Sequence, residues 1–238
     1  DDAESQRLKK NARQKLKDLL LPAHDRQQHL IETFLQETCW LPMTCAKGVV
    51  TWAKSSIHRI LLAALSSERL NALASTLEPV LRHARAAVQL QMSNRALQVF
   101  QKHPDWLQRS NSALALTLET LYLLDRIVHC MTTHQHDEES LLNYLELANE
   151  PGSSADASNL HLARLLNWTP AQVSLLTARL PRSRASTMED IDWLVRCHDT
   201  CAKTGLGAAA LLDATRLQND SPEEHWKSVG EAVMASGN

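Results

Sequence analysis

Along almost the whole chain, apolar residues recur at intervals of three and four, and no stretch of useful length alternates apolar with polar positions. That pattern predicts helices throughout and no strand. Punctuation is sharpest in the second half. Thr169-Pro170 sets a capping hydroxyl before a proline at the first helical position, and Val173, Leu176 and Leu180 follow at helical spacing until Pro181. Ser186 and Glu189 stand at capping-box spacing ahead of Ile191, Leu194, Val195 and His198, and Gly205 offers a left-handed stop. A short helix is predicted over Ala208 to Leu217. Ser221-Pro222-Glu223-Glu224 then repeats the start signal before a helix carrying Trp226, Val229 and Val233 on one face.

Upstream of these, Leu118, Leu121, Tyr122, Leu124 and Val128 cover more than one stripe, which predicts a buried helix from about Leu114 to Met131. Asp137 is placed to cap Glu138 to Ala148, and Pro151-Gly152-Ser153-Ser154 forms a turn before a helix ending near Trp168. In the first half the pattern predicts helices over Ser5–Leu21, Asp25–Thr38, Thr44–Leu65 with a break near Ser55, Ser67–Leu77, Pro79–Met92 and Asn94–Lys102. Pro22, Pro42, Pro79 and Pro104 mark most of those boundaries. The fold class expected is all-α: a multihelical, solenoid-like body of roughly ten or more helices. It divides most naturally into an N-terminal lobe over 1–110 and a C-terminal lobe over 111–238, or forms a single domain.

Composition narrows the function classes. Only 6 glycines and 8 prolines exclude a turn-rich β-protein, and 44% hydrophobic residues suffice for a proper core. With 25 Lys and Arg against 27 Asp and Glu, the formal charge of -2 gives no field to collect polyphosphate, so nucleic acid is not an expected partner. The basic run Arg7, Lys9, Lys10, Arg13, Lys15 and Lys17 reads as a solvated helix face rather than a membrane-surface helix, because Asp18 and the polar run Asn11 to Gln14 interrupt it. No apolar run approaches the roughly 18–20 residues a membrane-spanning helix needs, and the first residues lack a signal-peptide pattern. A chain opening on Asp1 rather than Met suggests a piece of a longer protein.

Two groups of side chains have the composition of chemical sites. Cys197, His198 and Cys201 lie within about one helical turn, and His129, Cys130, His134, His136, Asp137, Glu138 and Glu139 cluster where one helix ends and the next begins. The first offers two sulfurs and an imidazole on the face continued from Leu194, so core thiols are expected. In the second, histidine at a helix C-terminus and acids at a helix N-terminus are what the two dipoles favour unaided. The five cysteines (Cys39, Cys45, Cys130, Cys197, Cys201) are an odd number in a chain too long to need staples, and free thiols are expected. No nucleophile motif or phosphate loop is present. No catalytic, cofactor-binding or metal-binding residue is assigned, and the chain is not expected to be an enzyme. The six tryptophans (Trp40, Trp52, Trp106, Trp168, Trp193, Trp226) are expected as packing anchors between layers.

Five stretches taken in order carry a family resemblance: VTWAKSSIHRILLAAL (Val50 to Leu65), TLYLLDR (Thr120 to Arg126), LLNYLELANEPG (Leu141 to Gly152), LARLLNWTP (Leu162 to Pro170) and SPEEHWKSVGEAV (Ser221 to Val233). Together they resemble the α-helical shell of the A subunit of bacterial insecticidal toxin complexes (Tc toxins), over most of the chain from about Val50 onward. The resemblance implies a segment of a very large, secreted or cell-surface subunit that assembles as a bell-shaped homo-pentamer. Its partners would be the rest of the same subunit, the neighbouring subunits and, indirectly, the host membrane and the B–C toxin component. A pH change would open the shell, a pore would enter the host membrane, and a toxic enzyme would pass through. The reading from another class is a free-standing helical scaffold that binds a protein partner on a concave surface.

Overall fold

The computed structural model describes residues 2–66 and 70–236. It is all-α, with twelve α-helices, two short 3-10 turns and no strand among the described residues. Two compact units divide it, Asp1–Gln98 and Val99–Asn238.

Unit 1 holds α1 (Asp2–Cys39), α2 (Met43–Trp52), α3 (Ile57–Leu65), α4 (Leu70–Gln89) and the start of α5 (Asn94–Lys102). The break predicted near Ser55 is present: α2 ends at Trp52, and the Ser56 hydroxyl accepts the Arg59 N–H at the start of α3. Leu35, Leu41, Val49, Trp52, Val80 and Leu97 are buried at the heart of this unit. Gly48 lets α2 and α5 approach closely, since a Cβ there would stand 3.3 Å from the Leu97 side chain.

Two predicted helix boundaries in this unit do not exist. Pro22 lies inside the 38-residue α1, and Pro79 lies inside the 20-residue α4. A proline inside a helix removes one hydrogen bond to the carbonyl four residues back. Here those carbonyls belong to Asp18 and Ser75, both exposed, so water can replace the lost donor and the helix continues. The beginning of the helix predicted over Ser67–Leu77 lies outside the described residues.

Unit 2 contains the end of α5, then α6 (Leu118–His134), α7 (Glu138–Asn149), α8 (Ala155–Leu165), α9 (Pro170–Thr177), α10 (Met188–Thr204), α11 (Ala208–Ala214) and α12 (Glu223–Ser236). Successive helices pack in sequence order from α6 to α9 and from α10 to α12, while α10 returns to lie against α6 and α9. Leu124, Ile127, Leu141, Tyr144, Leu145, Leu162, Leu176, Ile191 and Leu194 form the core.

Start signals in this unit behave as local chemistry requires. Asp137 accepts the Ser140 N–H, Ser154 the Ala157 N–H and Thr169 the Gln172 N–H, while Gly205 closes α10 at φ 72°. Other details differ from expectation. The capping box of α10 is formed by Thr187 and Asp190, one residue later than the Ser186–Glu189 pair. Asp190 wins because it is buried and its carboxylate accepts both the Ser186 and Thr187 N–H groups. Helix α6 starts at Leu118 rather than near Leu114, since Thr117 caps it and Leu114 is buried from the irregular segment that precedes it. The Ser221 hydroxyl accepts the Gln218 N–H, and α12 begins at Glu223.

Candidate functional site

The two chemistry-bearing groups singled out in the sequence meet in unit 2. His134 is buried in the last turn of α6, which ends on a left-handed Gln135 at φ 56°. His198 comes from the middle of α10, its ring centre 6.1 Å from that of His134 at an interplanar angle of 70°. Trp168, from the turn between α8 and α9, also meets His198, with ring centres 4.9 Å apart and an interplanar angle of 80°. The Nδ1 of His198 lies 3.7 Å from the Asp199 carboxylate, beyond hydrogen-bond range, and Nδ1 of His198 and Nε2 of His134 and His136 are buried without a hydrogen-bond partner. Burial first, and then the neighbouring His198, holds His134 below the ordinary imidazole value.

The surrounding thiols are poor nucleophiles. Cys130 is buried, and desolvation pushes its thiol up to about 12. Burial also raises Cys197, with Cys201 adding to it, and burial raises Cys201 itself. A thiolate is the reactive form, so all three environments oppose reaction. Cys197 and Cys201 are only half-buried, which corrects the expectation that they continue the core from Leu194. Successive turns of α10 leave the core as the helix nears its exposed C-terminal end. Among the described residues no group of three or more His, Cys, Asp or Glu is arranged to hold a metal ion. His129 is exposed, and Asp137 is engaged in capping with Glu138 and Glu139 in the first turn of α7.

The tryptophans correct another expectation. Trp52 is buried, in edge contact with His83 at 4.9 Å, but Trp106, Trp168 and Trp193 are half-buried, and Trp40 and Trp226 are exposed. A large apolar side chain at a helix end is buried only where another element covers that end, which helical spacing does not specify.

A buried carboxylate cluster centred on Asp192 has only its contact with Arg196, four residues on, within reach of the local pattern. Asp192, 2% exposed, accepts from Tyr122 Oη at 3.0 Å, Arg126 Nε at 2.5 Å and Arg196 Nε at 3.0 Å. Asp190 is bound in the same manner by Arg109 at 2.5 Å. These carboxylates tie α10 to α6 and to the irregular segment before it. A second set of bonds fixes the segment from 181 to 187: Tyr144 donates to the Ala185 carbonyl, Asn149 to that of Ser186, and Asn159 to that of Ser183. Arg184 reaches back to the Ser153 carbonyl. These bonds hold Arg182 and Ser183 in left-handed conformations at φ 60° and 50°.

An open cleft in unit 2, about 800 Å³, is lined by residues that include Trp106, Asp105, Glu146, Glu150 and Arg182. In it, Trp106 stacks on His103 at 4.1 Å. No helix among the described residues is long and apolar enough to cross a membrane.

No family model matches the chain. It is similar to the toxin subunit YenA1 of Yersinia entomophaga, with 22% identity across 92% of this chain. The matched region is 20% of that protein, so the chain spans about a fifth of its relative's length.

Proposed function

We propose that the chain is a structural segment of the helical shell of a Tc-type toxin A subunit. The observation that carries this is the extent of the similarity to a toxin subunit: 92% of the chain aligns, yet it makes up only 20% of the relative. A match of that form fits one structural region within a much larger assembly, and the all-helical architecture agrees with it. In this reading the chain binds no cofactor and catalyses no reaction. Its work is mechanical, and the bonds from Asp192 and Asp190 give α6 and α10 the rigidity a wall element needs.

The finer reading follows the family resemblance. The segment packs against the rest of its subunit and against neighbours in a homo-pentamer secreted or displayed by a bacterium. The shell opens on a pH change at the host cell membrane, and a pore then delivers the toxic enzyme carried by the B–C component. An antibody raised against this chain tests the reading in the secreted and cell-surface fractions of the source cells. A species several times larger than 26.6 kDa is expected. A stable free species of that smaller mass, with no larger one, would favour the free-standing scaffold.

A further inference from the structure

Helices α7 and α8 are joined by a short turn and pack against each other, so they run antiparallel. The start of α7 therefore lies beside the end of α8. Along their seam runs a groove of about 320 Å³, a volume within the range of small-molecule sites. The antiparallel pairing sorts its lining by chemistry. His136, just ahead of α7, and Arg164, in the last turn of α8, belong to one end; Leu147 and Ala157 belong to the other, with Leu160 and His161 between them.

The polar end is built from nitrogen donors. No carboxylate lines the groove among the described residues. Asp137 lies close enough to His136 to feel its charge, but it is occupied as the α7 cap, accepting both the N–H and the Oγ–H of Ser140. The other acids of the two helices, Glu138, Glu139, Glu146 and Asp156, stand about 90° or more around their helices from the groove-lining positions. Two donors at this end are unspent. Nε2 of His136 is buried without a hydrogen-bond partner, and Arg164 makes no ion pair among the described residues. A buried nitrogen without a partner is costly, so an acceptor supplied by a ligand would recover what the fold leaves unmade. The fork of a guanidinium fits a carboxylate in particular.

The other end is aliphatic. Leu160 is 42% exposed and Leu147 half-buried, and no Phe, Tyr or Trp lines the groove among the described residues. From Arg164 to Ala157 the helix rises about 10 Å, the reach of a medium-length acyl tail.

We infer that the α7–α8 groove binds a medium-chain aliphatic carboxylate, its head at His136 and Arg164 and its tail along Leu160 toward Leu147 and Ala157. The inference stands on these two helices and holds whether or not the chain belongs to a toxin shell. Calorimetric titration of the full chain tests it with octanoate, with octylammonium, which has the same tail length and the opposite charge, and with acetate, which has the head alone. Octanoate is expected to saturate one site below its micelle-forming concentration. At low salt its binding is expected to be at least about tenfold tighter than that of either control, and to weaken as salt rises. Amide shifts on adding octanoate are expected to centre on α7 and α8. Arg164→Gln is expected to lower octanoate affinity about tenfold, and Arg164→Lys by less, because the ammonium keeps the charge and loses the fork. Leu160→Gln, which removes the tail contact, is expected to weaken octanoate by a similar factor. Both side chains are exposed, so an unchanged far-UV spectrum is expected for each variant. Octylammonium binding as tightly as octanoate would overturn the inference and leave an apolar crevice without charge selection. Acetate binding as tightly would overturn it in favour of an adventitious ion only. Shifts centred outside α7 and α8, or octanoate affinity unchanged in a folded Arg164→Gln variant, would overturn it by placing the anion elsewhere.

Discussion

Replacing Asp192 by alanine tests whether the α6–α10 contact is held by charge. The carboxylate is 2% exposed and takes three donors, from Tyr122, Arg126 and Arg196. Removing one member of a buried ion pair costs about 3–5 kcal/mol, chiefly because the charge left behind has lost its partner. Here that charge is Arg126, whose side chain is 16% exposed and can regain some water, so the lower end of the range, about 3 kcal/mol, is expected. Arg196 is 60% exposed, and its removal should cost only about 0.2–1 kcal/mol. Tyr122→Phe deletes one hydrogen bond from a ring that is 47% exposed and should cost about 1 kcal/mol. Asp192→Asn, which keeps the shape and removes the charge, is expected to lose most of what alanine loses. Urea unfolding followed by hydrogen exchange of the α6 and α10 amides reads unit 2 separately from unit 1. The reasoning is refuted if Asp192→Ala costs under about 1 kcal/mol, or no more than Arg196→Ala.

Three further outcomes are expected. Trp52→Ala should cost about 3–5 kcal/mol because the indole is buried, whereas Trp168→Ala, half-buried on His198, should cost about 1–2 kcal/mol, and denaturant midpoints rank them. His134 is held below the ordinary imidazole value by burial and then by His198, with His136 and His129 adding to the depression and Asp199 opposing it. The unfolded chain thus gains its proton first as pH falls through about 6.5, and stability of unit 2 declines from there until the folded imidazole also titrates. His134→Gln should flatten the decline between about pH 7.5 and pH 5, and an unchanged slope in urea midpoints would contradict the assignment. In the native protein a thiol reagent should modify half-buried Cys197 and Cys201 well before buried Cys130, and mass spectrometry of timed digests would show any reversal of that order.

The structural features that the sequence made legible are those completed within about four residues. Thr169-Pro170, Asp137 and Gly205 each satisfy helix-end groups with atoms a few positions away, so their roles follow from the order of residues alone. Pro22 and Pro79 misled because a proline ends a helix only if the lost bond cannot be replaced, and exposure of the carbonyl is a tertiary fact. Asp192 was invisible for a different reason. Its partners Arg126 and Tyr122 lie 66 and 70 residues away, and only the Arg196 contact, four residues on, falls within reach of a local rule. The histidine pair was half legible: each member was picked out in its own cluster, but their meeting depends on α10 returning to α6. Trp40 shows the limit of composition, since this large aromatic at a helix end is 85% exposed.

The central claim is that these helices form wall in a larger toxin particle. Cryo-electron microscopy of the particle purified through the antibody against this chain tests it most directly. The twelve helices are expected to fit density in the outer helical wall of a five-fold assembly, once in each subunit. A particle without five-fold symmetry, or one in which these helices lie outside the wall as a separate appended body, would contradict the account.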